Sequence, residues 1–314
     1  MIINYPLQGS ANGMIRCNPG FGKMNRQLPA ILFGLAAFLA WGFLPAYWKQ
    51  LQAVAPFEII CHRVVWSCLF LCLIIAGQKR WPEVRQIVRD AGHLKKLCAS
   101  GLLIAANWFI YIWAVNSGHV VETSLGYYIN PMVNVAIGFL LLRERFSRLQ
   151  SSALLFAIAG VGYSLLAYGK PPWFALSLAF SFAFYGYARK KIPVAPIPGL
   201  LVETSVLLVP ALGYLLYRQF YFDSLFGSHL AVSLWLIGSG IATSLPLLWF
   251  ATAAKTLKLS TIGIMQYLAP SIAFALGVFV YQEPFDSHNV VTFILIWLGV
   301  IIFCFDTVQR SRRL

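Results

Sequence analysis

The chain has 314 residues, 59% hydrophobic and 11% charged, with a net charge of +14 and a mean hydropathy of +0.72. A soluble protein carries about twice that charged fraction, so the composition predicts an all-α polytopic membrane protein with no room for a soluble enzymatic domain. Apolar runs near 20 residues, about what a helix needs to cross a hydrocarbon core, exclude an outer-membrane barrel of short alternating strands. The positive charge sits in loops between apolar spans, which ties it to membrane topology and not to nucleic acid.

Residues 1–28 read as a flexible N-terminal extension without the apolar core of a signal peptide. Within it Met24 opens MNRQLPAILFG, which reads as a natural start. Ten predicted spans follow, at 30–49, 58–77, 97–116, 122–142, 149–168, 173–190, 199–218, 230–253, 260–281 and 289–308. The longest connection, 78–96, carries QKRWPEVRQIVRDAGHLKK and could hold a surface amphipathic helix. With the N-terminus inside, 20 Lys and Arg fall in cytoplasmic segments and three (Lys49, Lys170 and Arg218) fall outside. That asymmetry predicts an even number of spans with both termini cytoplasmic. Of the cations, Arg63 alone lies within a span. The six cysteines form no CxxC and have no ligand-like histidine nearby, so neither a disulfide framework nor a metal site is expected.

An offset of 139 superposes Pro131 on Pro270, Tyr128 on Tyr267, Gly138 on Gly277 and Glu144 on Glu283. Trp41-Gly42 matches Tyr185-Gly186 at an offset of 144. The chain therefore divides into a first five-helix repeat, 29–169, a second, 170–310, and a short C-terminal tail, 311–314. Five is odd, so the second repeat enters the membrane inverted. Inverted repeats underlie alternating access, with the substrate site near the midplane.

Several residues are candidates for that site. Pro131 and Pro270 each remove a backbone hydrogen bond near mid-span and are expected to break or bend helices beside a cavity. Tyr127, Tyr128 and Asn130 precede one proline, and Gln266 and Tyr267 the other. With Asn107, Trp108, Trp41 and Tyr185 they could build an amphipathic pocket, although each could equally be interhelical packing. His62, Arg63 and Glu203 are ionisable groups inside spans and hence functional candidates, the alternative being that Arg63 snorkels to headgroups and Glu203 caps a helix. The repeat sets His62 over Glu203, which places the pair at opposite faces as outer and inner vestibule residues. A direct Arg63–Glu203 ion pair is not expected, and His62 or Glu203 is the candidate acceptor for a coupling proton. Glu144 and Glu283 are expected to cap helices or pair with loop cations, with a gate role as the alternative. Arg189-Lys190-Lys191 reads as a topology signal. No nucleotide-binding, nucleophile-elbow or zinc motif occurs, so neither an enzyme nor a cofactor is expected.

The runs AWGFLPAYWK, EIICHRVVWS, NWFIYIWAVN, ETSLGYYINPMVNVAIGFLLLRERF and IGIMQYLAPSIAFALGVFVYQEPF resemble the EamA branch of the drug/metabolite transporter superfamily, and within it the RarD-type proteins. The resemblance covers about residues 28–310. It implies a ten-helix inverted-repeat fold in the bacterial inner membrane, exporting small metabolites or drugs. A channel-like facilitator would share the fold, and a non-transporting scaffold is the third reading. Substrate, coupling ion and oligomeric state are not supplied.

Overall fold

The computed structural model describes residues 19–142, 147–222, 224–254, 257 and 265–313. Among these residues every element is a helix. In chain order they are α1 (Pro19–Lys49), α2 (Pro56–Gly77), α3 (Trp81–Arg89), α4 (Ala91–Asn116), α5 (Val120–Leu142), α6 (Arg148–Tyr168), α7 (Trp173–Lys190), α8 (Pro196–Tyr221), α9 (Leu230–Ala254), α10 (Leu268–Ala275) and α11 (Ser287–Arg313). A π-helical turn, Leu276–Val280, extends α10. Seven of these helices (α1, α2, α4, α6, α8, α9 and α11) contain stretches long and apolar enough to cross a membrane, and Leu268–Val280 is a shorter apolar stretch.

Helix α1 begins at Pro19, inside the stretch expected to be a flexible extension. The 78–96 connection holds α3, whose Val84 and Ile87 are buried while Arg85 and Arg89 face outward. Its neighbour α4 starts on Asp90, whose carboxylate accepts from the backbone N–H of Gly92 and His93. Helix α6 opens on a Ser147/Gln150 capping box and closes on Gly169 at φ +65°, a left-handed turn that glycine adopts without steric cost. The ninth predicted span lies partly outside the described residues.

The principal helix pairings run between the two parts of the chain. Helix α6 packs on α11, α2 on α8, and α5 on α10. In addition α5 packs on α7 and α1 on α10, α4 on α7 and α1 on α9, α4 on α8 and α2 on α9. Several of these contacts close on glycine: a Cβ on Gly126 of α5 would meet the Ala175 oxygen at 2.7 Å, and one on Gly299 of α11 the Ala153 oxygen at 2.8 Å. A Cβ on Gly101 of α4 would meet the Glu203 backbone oxygen at 3.0 Å, and one on Gly240 of α9 would meet the Trp66 backbone at 2.5 Å. Small residues let helices approach this closely where lipid gives no hydrophobic drive for association.

The core divides into two main clusters. One gathers Trp48, Ile59, Trp108, Tyr111 and Val115 around α1, α2 and α4. The other gathers Tyr128, Met132, Tyr267, Phe293 and Ile296 around α5, α10 and α11.

Candidate functional site

The structure distributes the predicted pocket residues among separate groups. Arg63, about two turns into α2, is 5% exposed. Its guanidinium carbon lies 4.1 Å from the ring centroid of Trp108 on α4 and 5.2 Å from that of Trp48 on α1. The phenols of Tyr47, Tyr111 and Tyr127 are its electrostatic neighbours, and the Tyr111 and Tyr127 rings meet edge to face at 5.8 Å. Two of its donors, Nε and Nη1, are buried without an acceptor. Next to it, His62 packs its ring 4.6 Å from Phe226, and its buried Nδ1 has no partner.

Glu203 on α8 is fully buried and well provided with partners. Ser100 of α4 donates to its Oε1, Tyr185 of α7 donates to Oε2 at 3.3 Å, and Arg189 of α7 stands 3.6 Å from Oε1. Arg63 and Glu203 thus have separate surroundings. They and His62, expected in outer and inner vestibules, are all buried among the described residues. Helices α2 and α8 pack on each other, and Gly101 brings α4 against the Glu203 backbone, so the neighbouring helices cover all three side chains.

A third group lies in the other core cluster. Tyr128 shares a hydrogen bond with Ser271 at 2.7 Å. It stacks on Tyr267 with centroids 6.1 Å apart and planes 16° from parallel, and it meets Trp297 edge to face. The buried Tyr267 hydroxyl has no partner. Asn130 accepts from Asn134 at 3.4 Å, and Gln266 is half-buried. Trp41 belongs to none of these groups, packing between Phe38 and Phe250.

Asn107 is an interhelical tie. Its amide donates to the Leu178 carbonyl at 3.1 Å and to the Ser181 hydroxyl at 2.9 Å, joining α4 to α7. The two prolines differ. Helix α5 continues through Pro131. Pro270 stands in the first turn of α10, directly after turns at Gln266 and Tyr267, where its missing N–H costs little.

Two carboxylates cap helices across the chain. Glu283 accepts from the backbone N–H of Val120 and Val121, both at 2.8 Å, at the start of α5. Glu122 accepts from Phe174 N at 2.9 Å at the start of α7. The π-helical turn and Gln282 at φ +51° bring the chain around to present Glu283. Glu144 lies outside the described residues.

Sequence reasoning missed Trp48, Tyr111, Ser100 and Ser271, and it read Arg189 as a topology signal only. A signal for Trp48 was available, since it sits beside a basic residue at a span end within an aromatic run. No pattern marked Ser100. Among the described residues no cluster of ligating side chains could hold a metal ion.

The profile of the EamA-like transporter family matches residues 28–166. Protein RarD of Escherichia coli is 42% identical over 292 residues, covering 93% of this chain and 98% of its own. The uncharacterized transporter YojE of Bacillus subtilis is 41% identical over 286 residues, covering 90% and 95%. A more distant relative, the chloramphenicol-sensitive protein RarD of Pseudomonas aeruginosa, is 27% identical over 289 residues, covering 90% and 96%. A solved crystal structure superposes with a TM-score of 0.57 at 21% identity, covering 92% of this chain and all of its own; this likeness concerns the fold.

Proposed function

Since the chain belongs to the RarD-type branch of the EamA-like transporters and is a membrane transporter of the drug/metabolite superfamily, we propose that it is a secondary exporter of small metabolites or drugs working by alternating access. In this reading ten spans form two inverted five-helix repeats in the bacterial inner membrane. Both termini are cytoplasmic, and substrate passes between the halves near the midplane.

The observation that carries the reading is the exchange pattern of the helix pairings. Let α1, α2, α4, α5 and α6 correspond to α7, α8, α9, α10 and α11. Then α2–α8, α5–α10 and α6–α11 map onto themselves. The remaining contacts swap in pairs: α5–α7 with α1–α10, α4–α7 with α1–α9, and α4–α8 with α2–α9. Two of the close-approach glycines, Gly101 and Gly240, stand 139 residues apart, the offset that relates the prolines. Interfaces that interchange in this way support a reading with two near-equivalent arrangements, which alternating access requires.

The Pseudomonas relative's name puts phenicols among the compounds to test. Purified protein in liposomes, screened for counterflow of amino acids, organic acids, sugars, nucleosides and phenicols, should show saturable exchange of one class. Flux linear in concentration would replace the carrier with a channel-like facilitator. No flux of any class would defeat the transport cycle proposed.

A further inference from the structure

We propose that Arg63 is the recognition point for a carboxylate on the transported molecule, and that the substrates are small monoanionic organic acids with an apolar body. This rests on the transporter reading above and extends it to a substrate class.

A guanidinium withdrawn from water needs a counter-charge and acceptors for its N–H groups. Arg63 has tryptophan faces instead. They attract the cation, but a π-face does not neutralise its charge and leaves buried Nε and Nη1 without acceptors. No carboxylate of the described part is free to serve. Glu58 is held by Arg218 at 3.1 Å. Glu83 is held by Arg80, and Glu203 by Ser100, Tyr185 and Arg189. Glu122 and Glu283 cap helices. Asp90 caps α4, Asp286 is engaged by Tyr168 and Asn289, and Asp306 by Ser147. Arg63 is thus a buried cation whose missing partner is not supplied by any acid of the described part.

The surroundings narrow the class. The guanidinium fork matches the geometry of a carboxylate. A single buried cation suits one negative charge better than a phosphate dianion. Trp48, Trp108, Tyr111 and Tyr127 offer flat apolar faces and phenols, which suit an aliphatic or aromatic body next to the charged head. The corresponding helix of the second half, α8, carries Glu203 with its own internal cation, so the two halves do not present equivalent sites.

The test uses full-length protein in lipid nanodiscs. Benzoate, hexanoate and lactate are titrated against benzamide, hexanamide and lactamide, reading thermal shift and tryptophan fluorescence. At least one acid should bind saturably, and its amide at least tenfold more weakly. Arg63→Gln should lose the acid's response at least tenfold and leave the weak amide response unchanged, while Arg63→Lys should retain part of the acid response. A purely structural arginine would not move this acid-to-amide ratio. Equal binding of acid and amide, wild-type acid binding in Arg63→Gln, or no binding by any of the three acids would overturn the proposal. If Arg63→Gln does not fold, the ratio in Arg63→Lys decides, and an unchanged ratio counts against it. Acid binding without flux in liposomes would uphold this proposal and defeat the transport reading. Saturable flux of neutral compounds, unchanged in Arg63→Gln, would do the reverse.

Discussion

Arg63 on α2 and Glu203 on α8 are both buried charges, and the protein treats them in opposite ways. Glu203 has a cation and two hydroxyl donors from α4 and α7. Arg63 has aromatic rings and two donors without acceptors. A satisfied buried pair holds helices together, and breaking it leaves a stranded charge. An unsatisfied one contributes little to the fold and keeps unused donors for a partner that the fold does not supply.

The largest expected effect breaks the satisfied side. Glu203→Ala strands Arg189, and it should lower stability by about 3 kcal/mol, the low end for a broken buried pair because the Arg189 side chain keeps 16% exposure. Thermal unfolding in detergent would measure it, and adding Arg189→Ala should recover part of the loss. An unchanged melting point in Glu203→Ala would mean that the two charges are not treated differently after all. On the other side, Arg63→Met should melt at or above the wild type, because it removes an uncompensated charge, yet lose acid-stimulated flux. A melting point several degrees lower would make Arg63 structural.

Asn107 supplies a neutral reference between the two. Asn107→Ala removes the amide donor to the Leu178 carbonyl and the Ser181 hydroxyl, and should cost about 1–2 kcal/mol in the same measurement. The smallest effect lies at Asp90, directly ahead of α4. The backbone N–H of His93 holds the Asp90 carboxyl below the usual carboxylate range. Its lowered pKa means that the stabilisation is present at neutral pH and fades as pH falls through the folded-state value. Asp90→Asn keeps a good cap but removes this dependence. The small gap in melting temperature between it and the wild type should therefore close as pH falls below about 4.

The helical, span-rich character of the fold was legible because spans announce themselves by length and apolarity. The convergence of side chains was less legible, for a physical reason. Soluble helices declare their buried face by amphipathic periodicity, but helices apolar on every side leave their rotation undeclared. Nothing in the sequence separated Tyr127, which packs against the Arg63 cluster, from Tyr128, which stacks on Tyr267 in the other. Arg189 in its basic triplet has the form of a topology signal, yet its long side chain reaches inward to Glu203. Asn107 looked available for a ligand because the sequence could not show that Leu178 and Ser181 use its donors.

The Glu283 contact has a consequence of a different kind. Its acceptor is a side chain from the end of the sequence, but its donors are main-chain N–H groups of Val120 and Val121. Substitution at those two positions by any residue but proline leaves the donors in place, so side-chain changes reach this fastening chiefly through a single carboxylate. On the proposed topology the fastening lies at the outer face. Parting there would uncover the positive pole of α5, so the motion that unlatches the door would also turn an anion-attracting helix end toward the opening.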